Sequence, residues 1–558
     1  MADQSLNTPT MPPERPLSTW RVMQLDLALD EPESVLRERA ARAAGFEPGE
    51  LRGARIVKKA LDARVRGSLR RLRWVCHVDI VVDATRRPPA LRRALQSGRA
   101  KAAPALGAIE QPARHPSLYR PGMAPVVLVG SGPAGVFAAY VLARNGVAVV
   151  VLERGPAIEQ RGRAVAGFHR TRRVDPERNL LFGEGGAGTY SDGKIYTRVD
   201  DPLEVPLLEE LVACGAPANI VYDSLAHIGT DRLHRVLPAL RARLMQRGVV
   251  FHFDTRCEAL VLGPDNDSVR GVVTNHGELA CSALILATGH SARDTWAVLA
   301  RQGLAFEAKP FQLGVRIEHP QDLIDRGRFG ARVPELGAAS YGLVCKASDG
   351  VPAAYSFCMC PGGRIVASVN EPELLCTNGM SNSTHSSGWA SAAIVTTLGP
   401  EHFGHGPFDG VRFQRELESR FFAAGGGDYT APAQGAADFL AERPSATVRY
   451  STYPFGTVPW RLDALLPALA RDAIARALLR FDRQIAGFAS NEGQLVGLES
   501  RSSGPVRMPR DAETRRASGF ANVYPVGEGA GYAGGIMSAA LDGANTAVAM
   551  IRDGVGGG

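Results

Sequence analysis

Hydrophobic and polar positions first fall into register just after Trp20. Met23, Leu25, Leu27 and Leu29 alternate with Gln24, Asp26, Ala28 and Asp30, a period of two that predicts a half-buried strand. Residues 33–44 (ESVLRERAARAA) are rich in helix formers and end against Gly45, so a helix is expected there. Leu72, Trp74, Cys76, Val78 and Ile80 alternate with Arg73, His77 and Asp79, predicting a second strand, with a further short one near Ile56. These elements make a small α+β module over 19–87, preceded by a polar, Pro-rich tail (1–18) read as disordered. Between Pro88 and Pro121 no period emerges, and 88–121 reads as a linker.

At Pro125 the pattern changes. Val126–Val129 is a short apolar run of the length of a buried parallel strand. Gly130-Ser131-Gly132-Pro133-Ala134-Gly135 follows at once. A small-residue helix from Val136 to Asn145, a stop at Gly146 and a second apolar run from Val147 to Leu152 complete a βαβ unit ending at Glu153 and Arg154. Gly130 allows the tight turn, Gly132 lets the backbone approach a pyrophosphate, and Gly135 lets the helix pack on the sheet. The phosphates are expected at the helix N-terminus, where free N–H groups and the dipole favour an anion. Glu153 stands where an acid accepts hydrogen bonds from the adenosine ribose.

This fingerprint alone does not separate NAD from FAD, and three later segments decide for FAD. Residues 257–286 read as three short strands (CEALVL, RGVVT, ELACSALIL) that deliver the chain into Ala287-Thr288-Gly289-His290, as an inserted meander does in two-domain flavoproteins. Residues 522–529 (NVYPVGEG) resemble the flavoprotein segment in which an acid after glycine holds a ribityl hydroxyl, here Gly527 and Glu528. The helix opening at Gly535 and Ile536 would turn its N-terminus toward the flavin pyrimidine ring, its dipole favouring a reduced flavin. A second glycine cluster, 182–194 (FGEGGAGTYSDGK), has no βαβ context. It reads as a loop whose Gly185, Gly186, Ala187, Gly188 and Thr189 contact the isoalloxazine or pyrophosphate.

Composition and charge narrow the classes. With 45% hydrophobic and 22% charged residues, the chain is globular. It has no apolar run of spanning length, and its eight cysteines form neither a disulfide framework nor paired CxxC zinc motifs. A cytoplasmic protein without a metal site or signal peptide is expected. From Leu51 to Arg120 there are 17 Lys and Arg against four acids, while the whole chain carries only +7. That basic stretch reads as a solvated face or a clamp on acidic neighbours in the same chain. Polyanion binding is the alternative.

The catalytic candidates are Lys194, placed to stabilise an anionic flavin or donate a proton, and His290, beside the Thr-Gly turn. Cys358, Cys360 and Cys376 read as buried, unreactive thiols. Arg316, Glu318, His319, Arg501 and Arg507 fit either internal ion pairs or an acidic substrate. Neither GxSxG nor HExxH occurs.

Five strings carry a wider resemblance: 182–198 (FGEGGAGTYSDGKIYTR), 227–233 (HIGTDRL), 311–321 (FQLGVRIEHPQ), 355–363 (YSFCMCPGG) with 377–381 (TNGMS), and 526–543 (VGEGAGYAGGIMSAALDG). From Trp20 to its end the chain resembles the bacterial family of uncharacterised FAD-dependent dehydrogenases, departing from its Asn-rich pattern at Thr384–Ala390. The resemblance implies an FAD fold with a family-specific C-terminal domain and leaves the substrate open. The expected fold class is α/β: a Rossmann-type FAD-binding domain (122–310 and 508–558), an inserted α/β substrate or cap domain (311–507) and the N-terminal α+β module. The expected activity is hydride transfer between FAD and a small organic substrate, with NAD(P)H as a transient donor. The alternatives are a flavoprotein acting on RNA through residues 51–120 and a non-catalytic flavin-binding protein.

Overall fold

In the computed structural model, residues 16–66, 69–70, 72–113, 115–118, 122–331 and 333–554 are described. Two compact units emerge: residues 1–105 with Val221–Ser224, and Leu106–Ile220 with Leu225–Gly558.

In the first unit the order is strand Leu17–Leu27, helix Val35–Ala44, strands Gly53–Asp62 and Arg73–Asp83, helix Pro89–Gln96 and strand Ala100–Ala102. The sheet runs Gly53–Asp62, Arg73–Asp83, Leu17–Leu27, Ala100–Ala102, with every pair antiparallel. That is a split βαβ of the ferredoxin-like kind. Its core joins Trp20, Val22, Cys76, Val78, Ile80 and Val82 of the strands to Leu36, Ala40 and Leu91 of the helices. Gly45 ends the first helix at φ 77°, where a residue with a Cβ would be strained.

Three expectations change here. Leu17 and Ser18, read as tail, already pair with Asp83 and Val82; residues 1–15 lie outside the described residues. The first strand is bulged between Val22 and Leu25, so the inward series is Trp20, Val22, Leu25, Leu27, and the simple alternation from Met23 fails. The segment read as linker contains a helix and an edge strand, Pro89–Gln96 and Ala100–Ala102. The first hides its apolar residues among arginines and the second is only three residues long.

The second unit holds two large sheets. Five parallel strands run Val523–Pro525, Ala283–Leu286, Val126–Val129, Val149–Leu152, Val250–His252. The middle ones are apolar throughout because both faces are covered. Helix Pro133–Arg144 follows Val126–Val129 and packs against the last helix, Ile536–Asp553. The meander is Cys257–Leu262, Val269–Thr274 and Gly277–Ala280. Its expected third strand is thus two strands, broken at Cys281-Ser282, where the chain leaves for the parallel sheet.

The other sheet has seven strands in the order Val344–Cys345, Ala354–Cys360, Trp389–Leu398, Phe311–Pro320, Gln494–Glu499, Ala431–Gly435, Thr457–Pro459. Every neighbouring pair but the last is antiparallel. The insertion expected to be α/β is therefore a mainly antiparallel sheet with helix Ala468–Asp482 against it. Among the described residues no helix is long and apolar enough to cross a membrane.

Candidate functional site

Gly130, Ala287 and Val526 follow the C-terminal ends of three adjacent parallel strands. The chain leaves Val126–Val129 toward Val149–Leu152 and Val250–His252 on one side and later returns to Ala283–Leu286 on the other, the switch point at which ligands bind such sheets. The three segments touch. A Cβ on Gly130 would lie 2.3 Å from the Ala287 carbonyl oxygen, one on Gly529 2.4 Å from that of Gly289, and one on Gly527 2.8 Å from Ala134 Cβ. The Gly527 N–H donates to Asp542 of the last helix (2.7 Å), fixing the turn that presents Glu528.

The glycine loop joins the same place. Gly186 abuts Gly132, with a Cβ on Gly186 3.3 Å from Gly132 Cα, and Gly188 abuts Ile536, with a Cβ on Gly188 3.0 Å from its Cγ1. Ala187 packs beside Phe182 and Ala292. Thr189 is turned inward, its hydroxyl donating to the Glu184 carbonyl (3.0 Å). Arg161, fully buried, shapes this loop: its guanidinium donates to the carbonyls of Asn179, Leu180, Gly183, Glu184 and Gly186. Nothing in the sequence near Arg161 suggests that role; only the fold places it under the loop.

Glu153 differs from its expected use. Its Oε2 accepts from the Ser131 N–H (2.9 Å) and hydroxyl (2.8 Å), and its Oε1 from the Gly155 and Gly183 N–H groups (2.9 Å each). Glu153 here pins the first glycine turn to the loop at Gly183. Arg154 is likewise committed, to Glu177 (2.7 and 2.9 Å) and Asp294 (2.8 Å twice). The Thr288 hydroxyl accepts from Trp296 (3.3 Å).

The remaining geometry fits FAD. Gly130 and Gly135 are required by the protein itself, since a Cβ on Gly135 would lie 2.0 Å from the Gly130 carbonyl oxygen. Gly132 is not: its φ of −70° suits any residue, and a Cβ there would meet only Gly186 Cα, at 3.9 Å. The cradle at the helix N-terminus is what a side chain at 132 would fill. The Glu528 carboxyl makes no hydrogen bond to a described residue. Burial, opposed by Lys309, pushes it up to about 8.

The two catalytic candidates separate. His290 Nδ1 sits 2.8 Å from the Ser291 hydroxyl. Burial, with Arg501 and Arg293, brings the imidazole down to about 4, so it is neutral near pH 7. Lys194 enters a cluster drawn from several of the family-like strings. Its Nζ lies 2.6 Å from Asp192 Oδ2. Asp192 also accepts the Ser381 hydroxyl and lies 3.3 Å from His385 Nε2, while the rings of His385 and His227 stack with centroids 4.0 Å apart. Burial works against the Lys194 charge, but Cys360, Asp192 and Cys358 outweigh it and hold the ammonium above the usual lysine range. Burial with His385 lowers His227 to about 4. Among the described residues no group of three His, Cys, Asp or Glu side chains forms a metal site.

Arg316, Glu318, His319 and Arg501 are internal. Arg316 pairs with Glu499 (3.2 Å) and Arg501 with Glu418 (2.7 Å). Glu318 accepts from Ser451 and Thr452, and His319 Nε2 lies 2.8 Å from the Phe488 carbonyl.

Comparison with known proteins agrees. The FAD-binding domain family matches residues 123–289. A second family, described as FAD-dependent protein, C-terminal domain-like, matches residues 310–502. An uncharacterized protein of Clostridium beijerinckii is 36% identical over 551 residues, covering 95% of this chain and 98% of its own length. Solved structures are matched only weakly. NikD, an unusual amino acid oxidase essential for nikkomycin biosynthesis, is 12% identical with a TM-score of 0.32 over 78% of this chain and 95% of its own. L-Proline dehydrogenase from P. horikoshii is 13% identical with a TM-score of 0.32 over the same shares. The chain belongs to the family of bacterial FAD-binding flavoproteins that join an FAD-binding domain to an FAD-dependent-protein C-terminal domain.

Proposed function

We propose that the chain is an oxidoreductase in which a small organic substrate exchanges a hydride with FAD. One observation carries the reading: segments near residues 130, 288 and 528 meet at the ends of one parallel sheet, around a Gly132 that no protein contact requires. In this reading 122–310 and 508–558 form the FAD-binding domain and 311–507 the inserted domain, with substrate entering where they meet. The family matches at 123–289 and 310–502 support that division.

When bound, the flavin supplies two-electron chemistry. The chain's own residues do the rest. The first free N–H groups of helix Pro133–Arg144 hold the pyrophosphate, with Gly132 leaving room for it. Glu528 accepts from a ribityl hydroxyl. The N-terminus of helix Ile536–Asp553 puts positive potential where charge grows on reduction. Lys194, locked to Asp192, keeps a fixed positive charge at the end of the glycine loop. His290 takes part as a neutral hydrogen-bonding group, not as an imidazolium acid.

The test is an anaerobic visible spectrum of the purified protein before and after NADH, NADPH and candidate substrates. A yellow protein bleached by an organic substrate over many turnovers is the expected result. Bleaching by NAD(P)H identifies a nicotinamide donor within the same reading. A protein that purifies colourless and takes up no flavin overturns it.

A further inference from the structure

Cys358 and Cys360 stand two apart on strand Ala354–Cys360. In a flat strand such residues share a face but lie about 7 Å apart at Cα, at the edge of what a disulfide spans. This strand is not flat. Its pairing with Trp389–Leu398 steps from Phe357↔Ala393 to Cys360↔Ser391, one extra residue on the cysteine side, and Cys358 sits at φ 42°. A bulge of this kind re-aims side chains and is common beside active sites. Here it brings the two sulfurs to 3.9 Å.

The pair is asymmetric. Seven of the eight cysteines are buried, and Cys358 is the exception, while its neighbour Cys360 is fully buried. Fixed cations face it: Lys194 and Arg316, the latter donating to the Cys358 carbonyl (3.3 and 3.4 Å). The hydrogen bond from Cys360, with the charges of Lys194 and Arg316, lowers the Cys358 thiol against burial and Asp192, and the same bond and burial push Cys360 up. A half-buried thiol beside two cations, backed by a fully buried thiol at 3.9 Å, is the arrangement of an attacking and a resolving cysteine. A cavity of about 160 Å³ opens at Gly362, just past Cys360, and runs to Ser381, the partner of Asp192. Arg364, Met380, Asn382, Ser386 and Ser387 complete its lining, and Arg364 is its one charged side chain, a partner for an anionic group on a molecule that is otherwise partly apolar.

We propose that Cys358 and Cys360 form a redox-active dithiol that exchanges two electrons with low-molecular-mass anionic disulfides. The Cys358 thiolate attacks one sulfur of the disulfide R–S–S–R, forming a mixed disulfide and releasing the first thiolate. Cys360 gives up its proton and attacks Cys358 Sγ, forming the Cys358–Cys360 disulfide and releasing the second. In sum, two protein thiols are oxidised to one disulfide and R–S–S–R is reduced to two RSH. The reverse exchange with external thiols restores the dithiol, so this chemistry stands apart from the hydride reading.

The test uses the full-length, flavin-loaded protein, reduced, desalted without air and exposed to oxidised glutathione. It is then quenched with an alkylating reagent and mapped by mass spectrometry. Two of eight thiols should disappear, with the peptide carrying Cys358 and Cys360 lighter by two hydrogens and free of glutathione. Cys360→Ser should stop at a glutathione adduct on Cys358, and Cys358→Ser should gain none at Cys360. A wild-type peptide that keeps both thiols, or that stops at the glutathione adduct, overturns the proposal. Should either variant lose its flavin spectrum through misfolding, the wild-type map decides alone.

Discussion

The glycine turn at 130–135 and the cluster around Cys358 are built on opposite plans. The turn is made from consecutive residues, and its work is done by backbone: glycines clear space and N–H groups point at an anion. The cluster takes Asp192, Lys194, His227, Cys358, Cys360, Ser381 and His385 from separate segments, and its work is done by charge. A backbone device tolerates little change at its contacts and much in between. A charge device loses its reactivity when one member is removed, and a buried partner left unpaired costs stability as well.

The largest expected effect falls on the glycines that touch backbone. Gly135→Ala puts a methyl 2.0 Å from a carbonyl oxygen and should cost about 3 kcal/mol, at the top of the range for overpacking, seen as a lower melting temperature. Gly132→Ala should stay within about 0.5 kcal/mol of the parent while lowering the flavin content. Equal stability losses at the two positions would dissolve the distinction between packing glycine and cradle glycine.

Next comes Glu153→Ala, which strands the N–H groups of Ser131, Gly155 and Gly183. Buried donors left unpaired cost about 1–3 kcal/mol each, less whatever water recovers, so a loss of about 2–3 kcal/mol in denaturant unfolding of the flavin-free protein is expected. A residue serving only the ribose would leave the flavin-free protein unchanged.

On the cluster, Lys194→Met should raise the Cys358 thiol from about 5 by about one pKa unit for one nearby charge, and so lower its alkylation rate near pH 6 by roughly twofold. The other charged or titratable groups facing Cys358 (Arg316, Asp192, Tyr196, Glu499) remain. An unchanged rate would remove Lys194 from the account of Cys358.

The smallest effect is a slope. In the folded, flavin-free chain the Glu528 carboxyl is pushed up to about 8 from an ordinary 4.5, so the folded state holds a proton that the unfolded state has released. Stability from this group is complete below about pH 4.5 and is lost as pH rises toward about 8. Glu528→Gln should flatten that dependence in unfolding experiments on stripped protein at about pH 5 and about pH 8.

Legibility in the sequence follows the same division. The βαβ unit could be read because turn, helix and strands are local, and each glycine answers to a neighbour. The approach of the two cysteine sulfurs is not legible, because spacing alone says nothing of a bulge, and only the register step between Phe357 and Cys360 makes them neighbours. Glu153 was expected at the ribose because its position marks the end of a strand; that the folded loop brings the Gly183 N–H to it is a long-range fact. The helix Pro89–Gln96 buries only Leu91, too weak a periodic signal among arginines to stand out. Polar residues on separate family-like strings (Asp192 and Lys194, His227, Cys358 and Cys360, Ser381) were the available hint that those strings meet.

The central claim is that this chain holds FAD at a cradle kept open by Gly132. The direct measurement is the nucleotide released on heating from the wild type and from Gly132→Trp, purified side by side with their circular dichroism melts compared. The account predicts FAD at about one per chain from the wild type, and a folded, colourless Gly132→Trp whose melt matches that of the flavin-stripped wild type. A folded Gly132→Trp that still carries its full complement of FAD would contradict it.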